Sequence, residues 1–182
     1  MASIEELRSA RLLKITKLKE EGMNPYPSSV LRTHSIKEVK ANFDKLESDK
    51  KDISIAGRVM IVRGQGAILF IVLQDGDERL QAVLKKDELE EKVFNLFVDT
   101  IDNGDFISVT GGLFVTARGE QSILIKDWQM ATKALLPLPD KWHGLQDIEE
   151  TYRKRYLDIL MDKEVYNRFV MRSKIVLSLI HI

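Results

Sequence analysis

The side chains that could do chemistry in this chain are few and scattered. His34, His143 and His181 are its three imidazoles, and no two stand at the spacing of metal ligands. There is no cysteine, which removes disulfides and thiolate metal sites. Acidic residues fall at turns and helix starts, and no nucleophile stands in a pattern with a base. The glycine-rich pieces, GQG at 64–66 and the GG of TGGLF, read as turns or strand packing, and no phosphate-cradling loop leads from a strand into a helix. The expected catalytic and metal sets are therefore empty. One stretch does concentrate unusual types: KALLPLPDKWHGLQD, residues 133–147, places two prolines, Trp142, His143 and a glycine in quick succession.

Composition narrows the alternatives. The 182 residues are 44% hydrophobic and 31% charged, the balance of a globular chain long enough for one full core and the start of another. Net charge is zero, yet unevenly assembled: residues 53–130 carry 8 Lys+Arg against 12 Asp+Glu, with both flanks basic. An acidic middle argues against gripping phosphate backbones by charge alone. The longest apolar run, residues 67–73, falls far short of the roughly 20 residues of a membrane helix. The N-terminus has no signal-peptide pattern, so the expected location is cytoplasmic, with no membrane partner.

These residues need elements to position them. Ser3 with Glu6 forms a capping box ahead of a helix that ends near Gly22, and Arg8, Arg11, Lys14, Lys17 and Lys19 on it read most simply as a solvated face, with contact to phosphates as the alternative. A second helix starts at Ser35, with Glu38 completing its box, and carries Ile36, Val39, Phe43 and Leu46 on one stripe. From Asp52 the period becomes two, with Ile53, Ile55, Gly57, Val59 and Ile61 sharing one parity. Residues 64–66 turn, 67–74 make a second strand, and 79–84 a third. Residues 87–97 are expected to be helical, capped by Asp87 with Glu90 at the third position. Strands over 105–115 and 120–128 follow. Three strands, a helix and two strands make the order of an OB-fold, a five-stranded Greek-key barrel, so the class is mainly β with flanking helices. LPLP stiffens a connector, and 148–161 and 165–179 return to helical spacing. The expected organisation is a helical extension over 1–51, the barrel over 52–131, a linker over 132–147, and over 148–182 the beginning of a further domain.

GMNPYP, AGRVMIVRGQGAILFIVLQD and, above all, KALLPLPDKWHGLQDIEETYRKRYLDI resemble the N-terminal part of class II lysyl-tRNA synthetases, over residues 5–176. The AGR and LQD blocks are shared with aspartyl and asparaginyl relatives, whereas LPLPDKWHGLQD followed by YRKRYLD is far more specific. The resemblance implies that the proline-rich segment links an anticodon-binding barrel to a catalytic domain. It also implies that Phe70 stacks on an anticodon base and that Gln81 hydrogen-bonds to the central uridine. Alternation places Leu80, Ala82 and Leu84 inside the third strand and Gln81 outside. In the second strand both parities are apolar, and alternation does not decide which side Phe70 takes. A primary amide offers both donor and acceptor, matching the carbonyl and ring N–H of uracil. Glu120 matches the family's acid on strand five, and the basic contact at the end of strand one falls to Arg63 or Arg58. Val62 stands where some relatives have a second arginine.

The arginines and glycines of the family's ATP-binding motifs do not appear. MRSKIVLSLI resembles the opening of the first motif, a helix at the dimer interface, without its arginine and closing proline. The resemblance therefore implies a tRNA-recognition piece, inactive as a ligase by itself. ATP and magnesium would act in the full-length enzyme, on the missing catalytic domain, and lysine tRNA and a homodimer are the expected partners. The alternative is a freestanding OB-fold protein that binds single-stranded nucleic acid.

Overall fold

The computed structural model describes residues 3–139 and 147–181, the side chain of Gln65 excepted. Trp142 and His143 of the linker lie outside the described residues. The chain divides into two compact units, Met1–Pro137 and Leu138–Ile182.

In the first unit, helix α1 (Ile4–Glu20) starts where the capping box predicts. Ser3 Oγ accepts from the Glu6 N–H, and the Glu6 carboxylate accepts from the Ser3 N–H. Gly22, at φ +79°, follows its end. The second capping box forms as well, but its helix is broken. Asn42 leaves helical geometry at φ −121° and ψ 25°, splitting the segment into α2 (Ile36–Ala41) and α3 (Phe43–Ser48). Its side-chain amide turns back to the Glu38 carbonyl, the local competition that makes asparagine a poor interior helix residue. Ile36, Val39 and Phe43 are nonetheless buried as one stripe.

Five strands close a barrel in the order β1-β2-β3-β5-β4: β1 (Ile53–Gln65), β2 (Ile68–Asp75), β3 (Glu78–Lys85), β4 (Phe106–Val115) and β5 (Gln121–Thr132). All neighbours are antiparallel except β3 and β5, whose parallel pairing closes the ring. This is the expected OB-fold. Strand β1 serves both sides of the closure, its first half pairing with β4 and its second with β2. It runs on through Gln65, so the turn falls one step later than expected. Ile55, Ile71, Leu84, Ile107 and Ile123 fill the interior.

Between β3 and β4 the expected Asp87 cap is not used. Lys86–Glu88 form a 3₁₀ turn, Leu89 is extended, and α4 spans Glu91–Thr100 without a side-chain cap. Burial rather than capping holds this helix. Phe94 and Phe97 enter the core, and Phe97 meets Trp128 edge to face at 5.1 Å between ring centroids.

The basic face of α1 is not simply solvated. Lys17 pairs with Asp99, Lys14 with Asp102, and the buried Arg11 donates to the carbonyls of Asn103, Ala134 and Leu136. Beneath them Lys133, fully buried, donates to the Thr100 carbonyl and to Asp102 and Asp105, each at 2.6 Å. Asp105, expected at the head of β4, instead lies buried just before it and also accepts the Ala134 N–H.

In the second unit the expected helix over 148–161 is also interrupted, at Lys154 (φ −112°, ψ 42°), giving α5 (Ile148–Arg153) and α6 (Arg155–Met161). Asp162 then caps α7 (Lys163–Ile180). Arg155 lies over the rings of Tyr152 and Phe169. Among the described residues no helix is long and apolar enough to cross a membrane.

Candidate functional site

The ambiguity of β2 resolves on burial. Leu69, Ile71 and Leu73 point into the barrel, while Ile68 and Phe70 stand out from it, Phe70 at 39% exposure. Phe70 lies opposite Val83, and Gln81 lies opposite Val72. Phe70 and Gln81 are therefore diagonal neighbours on one outer wall, about 7–8 Å apart by sheet geometry. Gln81 is half-buried there, and its Nε2 donates to Ser122 Oγ at 2.9 Å.

Arg63 reaches the same wall by a route that parity misses. It shares the odd numbering of Ile53, Ile55, Gly57 and Val59, all buried or inward, and strict alternation would turn it inside. The register against β2 slips between Val59 and Ile61, a bulge that adds Met60. Beyond the bulge the faces exchange. Ile61, though it shares the parity of Ile53, Ile55 and Val59, sits opposite the outward Val72; Val62 sits opposite the buried Ile71 and packs on the core. Arg63 then lies directly across from Phe70, exposed. Gly64, at φ +120°, must follow: a Cβ there would come within 2.4 Å of the Ile68 carbonyl oxygen.

Arg58 is elsewhere. It precedes the bulge by two residues and Arg63 by five, roughly 15 Å along the strand. Its guanidinium lies 4.2 Å from the ring centroid of Phe106 and donates to the Gly104 carbonyl. Burial holds its pKa below the ordinary arginine value. Arg58 is thus packed as part of the barrel, and the structure does not bring it to Phe70.

Glu120 lies in the β4–β5 turn, one residue before β5, and its side chain is exposed. Its backbone closes that turn: its N–H donates to Thr116 Oγ1, and its carbonyl accepts from the Thr116 N–H and from the Ser122 hydroxyl. Gln81 and Glu120 are therefore connected through Ser122, a residue that reading the sequence did not single out. Pairing of β3 with β5 creates the connection, and no local pattern announces it.

Together the wall offers a partly exposed ring, an amide with donor and acceptor capacity and a guanidinium, and the exposed Glu120 stands two residues before Ser122. Such a set suits unpaired bases, which can be splayed out, stacked on an aromatic and read at their edges. Among the described residues no three His, Asp or Glu side chains converge as a metal would require.

Residues 53–131 match the model of a family described as an OB-fold nucleic acid binding domain. Lysine–tRNA ligases are similar across almost the whole chain. That of Halalkalibacterium halodurans is 40% identical over 181 residues, covering 97% of this chain and 36% of its own length. Those of Carboxydothermus hydrogenoformans (40% over 173 residues, 95% and 35%) and Lactococcus lactis (41% over 184 residues, 97% and 37%) agree. The chain spans about a third of the length of these curated relatives. Along nearly all of its residues the chain is thus similar to lysine–tRNA ligases, and its barrel is an OB-fold nucleic-acid-binding domain.

Proposed function

We propose that the outer wall carrying Phe70, Gln81 and Arg63 reads the anticodon of lysine tRNA. The observation that carries this reading is the placement of an exposed aromatic ring and an amide as diagonal neighbours on one barrel face. Phe70 stacks on a base, which contributes about 1–3 kcal/mol and tolerates any base. Gln81 supplies the discrimination, accepting from a uracil ring N–H and donating to a uracil carbonyl. Arg63 contributes phosphate attraction, and Glu120, an acceptor only, favours a base that offers an N–H.

Activation of lysine with ATP and magnesium, and its transfer to tRNA, belong in this reading to the remaining two thirds of a full-length ligase; this chain's residues bind and orient the anticodon. The full-length protein is expected to be a homodimer, and the exposed apolar residues Met171, Ile175 and Leu179 on α7 suit such a contact.

The test is binding to stem-loops bearing a UUU or CUU anticodon and to loops changed at the central base. The chain should prefer uracil there, and Gln81→Ala should remove that preference while costing less in total affinity. Equal binding of oligo-U and mixed-sequence loops by the unaltered chain would favour a freestanding single-strand binder instead. Retained preference in Gln81→Ala would remove Gln81 from the mechanism.

A further inference from the structure

We infer that Ser122 is a positioning residue for base discrimination: its hydroxyl fixes which end of the Gln81 amide faces the ligand. This rests on the reading of the wall as an anticodon-binding surface.

Ser122 is fully buried on β5 and in register with Gln81 across the parallel pair that closes the barrel. Its hydroxyl carries one proton and touches two groups. One is the backbone carbonyl of Glu120, at 3.1 Å, which can only accept. With its proton on that carbonyl, Ser122 Oγ can meet Gln81 only through a lone pair. The Gln81 atom 2.9 Å away must then be the nitrogen. The two ends of a glutamine amide are alike in shape, and it is the network around them that tells them apart. Here the network runs in one direction, from Gln81 Nε2 to Ser122 Oγ to the Glu120 carbonyl. Reversing the amide would pull the serine proton onto Gln81 Oε1 and break the bond to Glu120. Losing one hydrogen bond of two biases the amide by about five- to tenfold.

The consequence lies in what is left for a base. With Nε2 held by Ser122, Oε1 and the second N–H remain. A carbonyl oxygen fixed toward the ring nitrogen of the base pairs with the N3–H of uracil. Cytosine carries a lone pair at that nitrogen, and oxygen and lone pair repel. A freely turning amide could meet cytosine with its N–H instead. Gln81 thus provides the hydrogen bonds, and Ser122 makes them selective.

The experiment combines a spectrum and a binding ratio on the 182-residue chain. In the free protein, the side-chain amide protons of Gln81 should be well separated and slow to exchange by NMR. They should lose both features in Ser122→Ala and in the near-isosteric Ser122→Cys, and keep them in Ser122→Thr, which retains the hydroxyl. With stem-loops carrying uracil or cytosine at the central anticodon position, Ser122→Ala and Ser122→Cys should lower the uracil preference by about tenfold, the size of one well-aligned base contact. Affinity for the uracil loop should fall less, and Ser122→Thr should restore the ratio. If Ser122→Ala does not fold, Ser122→Cys keeps the side-chain volume and answers the same question. An unchanged amide spectrum, or an unchanged ratio in a folded variant lacking the hydroxyl, overturns the inference. If the unaltered chain shows no uracil preference, anticodon reading fails instead, and the amide spectrum still decides whether Ser122 orients Gln81.

Discussion

At the scale of single residues, two arginines that looked alike have different surroundings, and salt dependence separates them. Arg63 is exposed beside Phe70, whereas Arg58 is stacked on Phe106 and bonded to the Gly104 carbonyl. Arg63→Ala should reduce the slope of log affinity against log salt by about one, the effect of one phosphate contact. Arg58→Ala should leave that slope unchanged and lower the melting temperature, because it removes packing. The opposite pattern would exchange their roles. Phe70→Ala should weaken binding of every stem-loop by about 1–3 kcal/mol regardless of base, read by fluorescence anisotropy, since stacking carries little sequence information. A loss confined to uracil loops would contradict a stacking role. Of these residues Gln81 was the most legible, because Leu80, Ala82 and Leu84 around it leave one choice of face. Phe70 was not legible from alternation: both parities of β2 are apolar, and only closure of the barrel decides which lies inside.

At the scale of elements, local capping chemistry was a good guide where it stood alone and a poor one where the core intervened. The boxes at Ser3 and Ser35 form as written, since each is satisfied within four residues. The box suggested by Asp87 does not, because the chain extends through Leu89, which packs on the core, before α4 begins. The bulge at Met60 is the element-scale feature with most consequence for the site. It exchanges the two faces of β1 and delivers Arg63 to the outer wall, and Gly64 accommodates the positive φ that follows. Gly64→Ala should therefore destabilise the barrel by about 1–3 kcal/mol in chemical denaturation, through backbone strain and the 2.4 Å approach to the Ile68 carbonyl. It should also weaken RNA binding by disturbing the Arg63–Phe70 pair. A variant of unaltered stability would mean that this turn relaxes freely.

At the scale of the whole first unit, α1 and the barrel are held together by ions rather than by an apolar seam alone. Lys133 sits fully buried against Asp102 and Asp105, with Lys14 and Arg11 arriving from α1. Lys133→Met should cost about 3–5 kcal/mol, the penalty of leaving buried carboxylates uncompensated, measured by urea unfolding. Burial pushes the Asp102 carboxyl up, but hydrogen bonds and charge from Lys133 and Lys14 outweigh it and hold the group below the ordinary aspartate range. A carboxylate whose folded pKa is depressed adds stability above its unfolded value, about 3.9, and loses it as pH falls through the folded value. Asp102→Asn should therefore be less stable than the unaltered chain at pH 7, with the gap narrowing below about pH 4. A gap constant from pH 7 to pH 3 would remove Asp102 from the acid response.

What the amino-acid order determined by itself was whatever depends on neighbours in the chain: the period-two strands, the two serine capping boxes, the sequence of elements that makes an OB-fold, and the outward face of Gln81. What only the tertiary structure decided depends on how separate elements meet. Closure of β3 onto β5 brings Ser122 beneath Gln81, packing chooses the inner side of β2, the register slip turns Arg63 outward, and the buried charges fasten α1. A strand's alternation is local and survives in the sequence, but which of its faces lies inside is set by the strands it meets and the register in which it meets them, which its own residues do not specify.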